Sequence, residues 1–213
     1  MFLRATAALL DAQLTTPLPQ RRRRRLRVVH VINSFEYGGA EAMLCNLVLN
    51  ADRERFDVSV VALIDDMTVA RPILDAGIPV VTMGMRPGLA DPRGLWRLAR
   101  HLRRLEPDVI HTWMDHSNLI GGLAALAAPR TKVIWGVHHS HHVRGVAKRS
   151  TLMTVGACAR LSNWLPVRVV CCSEESRRNY LKLGFDADRT VVIPNGFDLH
   201  AFWPDADARA SLR

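Results

Sequence analysis

The chain of 213 residues is 48% hydrophobic and 23% charged, which suffices for one well-buried domain and is too short for two full α/β domains. A net charge of +9 invites a nucleic-acid reading, but the charge is concentrated at the start. Residues 1–27 hold seven arginines against Asp11 alone, a charge of +6 that leaves +3 for the body, and that body has no basic stripe interleaved with aromatics, so no nucleic-acid partner is expected.

In chain order, residues 1–26 read as a basic, disordered arm centred on Arg21–Arg25. Such a run suits a solvated tail or a peripheral contact with anionic headgroups, where each basic residue contributes on the order of 1 kcal/mol. No apolar run reaches the roughly 18 residues that span a bilayer. "ATAALL" is too short for a signal-peptide core and lies ahead of the arginine run instead of behind it. Cys45, Cys158, Cys171 and Cys172 form no C-x-x-C pair and read as reduced packing residues. Together these features suggest a cytoplasmic protein, peripheral at most at the inner face of the membrane.

From residue 27 to about 193, short apolar runs alternate with helical patterns. Strands are expected at 27–32, 56–63, 79–83, 108–111, 132–137, 168–172 and 190–193. Most are β-branched and continuous, as in parallel strands covered on both faces. The first helix places Ala40, Met43, Leu44, Leu47 and Val48 on one stripe. The third does the same with Leu95, Leu98, Ala99, Leu102 and Leu105, opposite a face of arginines that reads as solvated. Glu106-Pro107 then stops that helix. The fold class is therefore α/β, a Rossmann-like doubly wound parallel sheet of about seven strands over residues 27–200. Ligands of such sheets bind at the carboxyl ends of the strands, which selects the loops to examine.

Gly38 and Gly39 follow the first strand where a helix begins. Glycine lets backbone approach a ligand, and a helix N-terminus favours an anion, so the pair either seats a phosphate or forms a tight turn. Glu41 in the first turn would repel a phosphate if it pointed inward. The spacing matches neither G-x-G-x-x-G nor the Walker loop. "WGVHHSHHVRG" places four histidines after the fifth strand. No nearby cysteine or carboxylate completes a metal shell, and a strand-tip histidine is better suited to hydrogen-bonding a polar ligand or acting as a base. His111 either faces the crevice or caps the fourth strand. Asp115 and His116 follow in the next loop, where a carboxylate could accept a proton.

"RVVHVINSFEYGGAE" and "VVCCSEESRRNYLKLGFDADRTVVIPNGFDLHAFWPD" resemble the N-terminal, acceptor-side domain of family-4 retaining glycosyltransferases of GT-B fold. "PDVIHTWMDHSNLIGGLAA" and "KVIWGVHHS" resemble that domain's fourth and fifth strand regions, and "IPNGFD" is the most specific piece. The resemblance covers residues 27 to about 205. It implies transfer of a sugar from a nucleotide-sugar donor to a hydroxyl of a glycan or lipid-linked acceptor, with retention and without a metal or other cofactor. It assigns Gly38 and Gly39 to the donor diphosphate and His138 to the transferred sugar as the catalytic residue, with His139 a one-residue alternative. His111, Asp115 and His139 fall on the acceptor side. In the family a C-terminal domain carries most of the donor site, including two glutamates separated by seven residues. Residues 201–213 resemble the start of the linker to that domain, so the 213-residue chain alone is expected to be a poor catalyst. The rival reading is a non-catalytic Rossmann-like module that binds a phosphorylated ligand or a protein.

Overall fold

A computed structural model of the chain describes residues 24–86, 91–138 and 149–197. Arg21 to Arg23, His139 and the linker at 201–213 lie outside the described residues. Seven strands form one sheet: β1 (Leu26–Ile32), β2 (Phe56–Ala62), β3 (Val80–Thr82), β4 (Val109–Trp113), β5 (Lys132–Val137), β6 (Arg168–Cys171) and β7 (Thr190–Val192). Their order is β3-β2-β1-β4-β5-β6-β7, and every pairing is parallel. The helices are α1 (Gly39–Leu49), α2 (Arg71–Asp75), α3 (Pro92–Leu105), α4 (Asp115–Ala125), α5 (Arg149–Leu161) and α6 (Glu174–Lys182).

Both sheet faces are covered, which explains why the strands read as continuous apolar runs. Successive residues of β1 alternate between two cores. Val29 and Val31 join Leu98 and Leu102 of α3, with Ala124, Val155 and Tyr180 of the next three helices. Ile32 points the other way, toward Leu44 and Val48 of α1 and Ile73 of α2. The chain steps outward from β1 to β3, then returns to lay β4 on the far side of β1. The crevice of such a sheet opens between the carboxyl ends of the two strands that diverge there, β1 and β4.

Two local devices set the elements near that crevice. Asp91 caps α3 by accepting from the Gly94 N–H at 2.8 Å, with Pro92 at the first helical position. Glu106 ends α3 in the left-handed region at φ 44, and Pro107 prevents continuation. At the end of β4, Met114 is held at φ 75, an unusual backbone for a side-chain-bearing residue. Its N–H donates to the Gly136 carbonyl at 3.0 Å and its own carbonyl accepts from Asn118 N–H at 2.8 Å. The Asn118 side chain also donates to the Gly136 carbonyl at 3.1 Å and accepts from the Thr112 hydroxyl at 2.6 Å. These bonds lock the tips of β4 and β5 together and hold the strained residue in place.

Candidate functional site

The β4 strand runs two residues beyond the expected end, so His111 neither caps it nor stands at its tip. It lies within β4, paired with His30 of β1 and Ile134 of β5. Because parallel register puts directly opposed residues on one face, His30, His111 and Trp113 line the same surface, the face that α1 and α2 cover further along. The ring centroids of His30 and His111 are 5.3 Å apart, and those of His111 and Trp113 are 4.9 Å apart.

His138 follows the last residue of β5 and lays its imidazole flat on the Trp113 indole, with centroids 4.5 Å apart and planes within 8°. Trp113 is fixed from the opposite side, its indole N–H donating to His30 Nδ1 at 3.1 Å. An indole nitrogen can only donate, so His30 must accept at Nδ1 and is neutral, with its proton on Nε2. His30 is 5% exposed, and burial lowers its pKa from the usual 6.5 to about 4. His111 is held well below the usual value by burial, and then by the charges of His30 and His138. Its Nε2 is enclosed and has no hydrogen-bond partner among the described residues.

Gly136 makes this convergence feasible. A methyl group there would stand 2.9 Å from the Thr112 carbonyl oxygen, 3.1 Å from His111 Nε2 and 3.4 Å from His138 Nε2. Both imidazoles thus lean over a residue that has no side chain.

The glycine turn follows β1, with β4 between it and β5. Neither Gly38 nor Gly39 has a positive φ, and Gly38 is fully extended at φ −166, so backbone freedom does not explain them. Room does. A side chain on Gly38 would collide with the Glu41 carboxylate, whereas the space where a Gly39 side chain would stand is open to 4 Å. Glu41 curls back so that its carboxylate lies over Gly38 at the start of α1. Burial, followed by the nearby Glu36 charge, raises its pKa. A protein carboxylate therefore stands where a phosphate would sit at this helix N-terminus. Beside it Tyr37 is 86% exposed.

Asp115 and His116 belong to the first turn of α4, not to a loop. Asp115 is 4% exposed and accepts from the Tyr180 hydroxyl through both oxygens, at 3.0 and 3.1 Å. The Cys158 thiol approaches its backbone carbonyl at 3.5 Å. Asp115 thus joins α4 to α5 and α6 on the sheet face opposite His111. His116 Nδ1 lies 3.4 Å from the Thr154 hydroxyl. All four cysteines are free thiols, and burial pushes Cys171 up to about 11. Among the described residues, no group of three or more His, Cys, Asp or Glu side chains could hold a metal ion.

Sequence reasoning identified His138, His111 and the glycine turn, but missed His30 and Trp113, which hold His138 in place. The available signal was a histidine inside an otherwise apolar β1 and a tryptophan two residues after His111, on the same face of β4.

The doubly wound sheet has counterparts among known proteins. A family model described as Glycosyltransferase Family 4 matches residues 37–201. HepE of Anabaena, crystallised with UDP, superposes with a TM-score of 0.70 at 21% identity, over 88% of this chain and 49% of that one. Crystals of HepE with UDP-glucose superpose equally well. The lipopolysaccharide outer core galactosyltransferase WaaB follows with a TM-score of 0.62 at 11% identity, over 82% of this chain and 47% of that one. A UDP-N-acetylglucosamine 2-epimerase reaches 0.56 at 19% identity, over 81% and 49%. At these identities the likeness is one of fold, and the chain spans about half the length of each of these structures. No curated protein matches the chain. The family model runs from the glycine turn through His138 and beyond β7, and on that match the chain belongs to Glycosyltransferase Family 4.

Proposed function

We propose that this chain forms the acceptor-side half of a retaining, metal-independent glycosyltransferase that draws on a nucleotide-sugar donor. The observation that carries the reading is His138, stacked on Trp113 at the carboxyl tip of β5, two strands across the sheet from β1 and the glycine turn that follows it. Structures of HepE with UDP and with UDP-glucose support a nucleotide-sugar of that kind as the donor.

In the reaction, the bond from the anomeric carbon to the diphosphate breaks while a bond to an acceptor hydroxyl forms on the same face, and the hydroxyl proton passes to the departing diphosphate oxygen. Gly38 and Gly39 give the diphosphate access to the α1 N-terminus once Glu41 swings away. His138 orients the transferred sugar by hydrogen bonding, and the Trp113 platform limits how far its ring can turn. His111 lies beneath, toward the acceptor side. Asp115 acts through Tyr180 as a structural support and does not touch substrate.

The test is titration of the isotope-labelled 213-residue chain with UDP-glucose, followed by NMR at the Gly38 and Gly39 amides and the His138 ring. Shifts at all three are expected. Glu41→Gln removes a like charge worth on the order of 1 kcal/mol near a surface and should tighten binding about fivefold. Absence of shifts at millimolar ligand, or weaker binding by Glu41→Gln, would overturn the reading.

A further inference from the structure

The residue that ties the two strand tips of the site together is not itself on a strand. Asn118, at the end of the first turn of α4, is fully buried, and its side chain bonds to β4 and β5. Gly121 and Gly122, three and four residues on, lie on the same side of the helix. Methyl groups at those two positions would stand 2.5 Å from Thr112 Cγ2 and 3.1 Å from the Trp135 indole nitrogen. The glycines thus let α4 settle on β4 and β5 closely enough for a short amide to reach strand backbone.

The amide nitrogen donates to the Gly136 carbonyl at 3.1 Å, and the amide oxygen accepts from the Thr112 hydroxyl at 2.6 Å. A carbonyl oxygen can only accept, so the amide must turn its NH2 toward Gly136, and the Thr112 hydroxyl on its other side fixes that orientation. The Gly136 carbonyl also accepts from Met114 N–H at 3.0 Å. One bond from the β4 tip and one from α4 therefore set the peptide that follows Gly136, two residues ahead of His138. The next carbonyl, that of Val137, is held by Cys172 N–H at 3.2 Å.

The Asn118 backbone works on the other partner of the stack. Its N–H donates to the Met114 carbonyl at 2.8 Å, closing the first turn of α4 on the residue held at φ 75, next to Trp113. Asn118 thus reaches both rings, Trp113 through Met114 and His138 through Gly136. An apolar side chain of similar size would fill the same space without burying an amide, which is costly unless every group finds a partner. A buried polar network specifies one geometry where an apolar contact permits several.

We propose that Asn118 is a positioning residue for sugar transfer: fully buried, it touches no substrate, and it holds the tips of β4 and β5 so that His138 keeps its stack on Trp113 where the transferred sugar docks. The inference rests on the sugar-transfer reading above and adds to it a residue of α4.

The full 213-residue chain, isotope-labelled, is compared with Asn118→Asp and Thr112→Val by NMR of the His138 ring and the Trp113 indole. Spectra are recorded first without ligand and then on titration with UDP-glucose. Asn118→Asp keeps the shape of the side chain but sets a carboxylate oxygen against the Gly136 carbonyl. Thr112→Val keeps the branched shape beneath Gly121 and removes only the hydroxyl that orients the amide. Stacked rings shield each other's protons, so a disturbed stack moves the His138 resonances in the ligand-free protein. Both variants should show that movement and bind UDP-glucose more weakly, about tenfold for Asn118→Asp and about threefold for Thr112→Val. Thr112→Val keeps the test decisive if Asn118→Asp does not fold. A lower Tm with His138 resonances and affinity unchanged would make Asn118 a structural tie only and overturn the proposal. Resonances that move while the affinity stays the same would overturn it too. If the parent itself does not bind UDP-glucose, the sugar-transfer reading falls, and the ligand-free resonances alone uphold or overturn Asn118 as the residue that sets His138.

Discussion

Acid should unfold this domain through His30, and a single substitution can show it. His30 accepts the Trp113 indole N–H and lies in the core, with its pKa lowered by burial from 6.5 to about 4. The unfolded chain therefore binds a proton between those values while the folded chain does not. Stability is fully present above pH 6.5 and declines as the pH falls toward 4. At about 1.4 kcal/mol per pH unit, roughly 2 kcal/mol is lost by pH 5 and roughly 3 kcal/mol by pH 4. For a domain of this size, 1 kcal/mol shifts Tm by about 2–4 °C, so His30 alone should lower it by about 4–8 °C between pH 8 and pH 5. The comparison is His30→Gln, whose amide oxygen can still accept from Trp113 but does not titrate. Thermal unfolding followed by circular dichroism should show a fall about 4–8 °C smaller in the variant than in the parent. His111 adds an acid-sensitive loss of the same sign to both proteins. Parallel falls in the two proteins would refute the assignment of His30 as a neutral acceptor.

Two further substitutions probe the supports of the site. Gly136→Ala places a methyl group 2.9 Å from a backbone oxygen and 3.1 Å from His111 Nε2; a loss of about 1–3 kcal/mol in urea unfolding is expected, with a change in the near-ultraviolet signal of the Trp113–His138 stack. A variant as stable as the parent would mean the tips of β4 and β5 are not packed as described. Tyr180→Phe deprives the buried Asp115 carboxyl of its hydroxyl donor and should cost about 1–3 kcal/mol at neutral pH. An unchanged urea midpoint would contradict the role of Asp115 as the tie between α4 and α6.

The sheet could be read from the chain because every strand is short, β-branched and bounded by a helix or a turn, and all seven appear with ends displaced by at most two residues. The site was harder to read, for a local reason. In an extended strand His111, Trp113 and Asp115 would share one face, which agrees with the acceptor-side grouping of His111 and Asp115 that the family resemblance implied. Met114, at φ 75, breaks that alternation. It turns Trp113 toward α1 and His30, and Asp115 toward Tyr180 on the opposite side. Nothing in the residue type announces this backbone, since methionine rarely adopts it. Of the glycines, only the expected conformational freedom is not used: Gly38 is extended, and its small size accommodates the Glu41 carboxylate. His139 lies outside the described residues, so the choice of the first histidine after β5 rests on the stacking of His138.

The position of Trp113 has an optical consequence. An indole held between one imidazole that accepts its N–H and another that covers its face emits according to the state of both. A protonated imidazole quenches indole emission, and a ligand that draws His138 aside removes a contact from the ring. Trp113 is thus a built-in reporter of occupancy and protonation at the crevice. Its signal can be isolated from that of the other four tryptophans by subtracting the emission of Trp113→Phe, without attaching a dye.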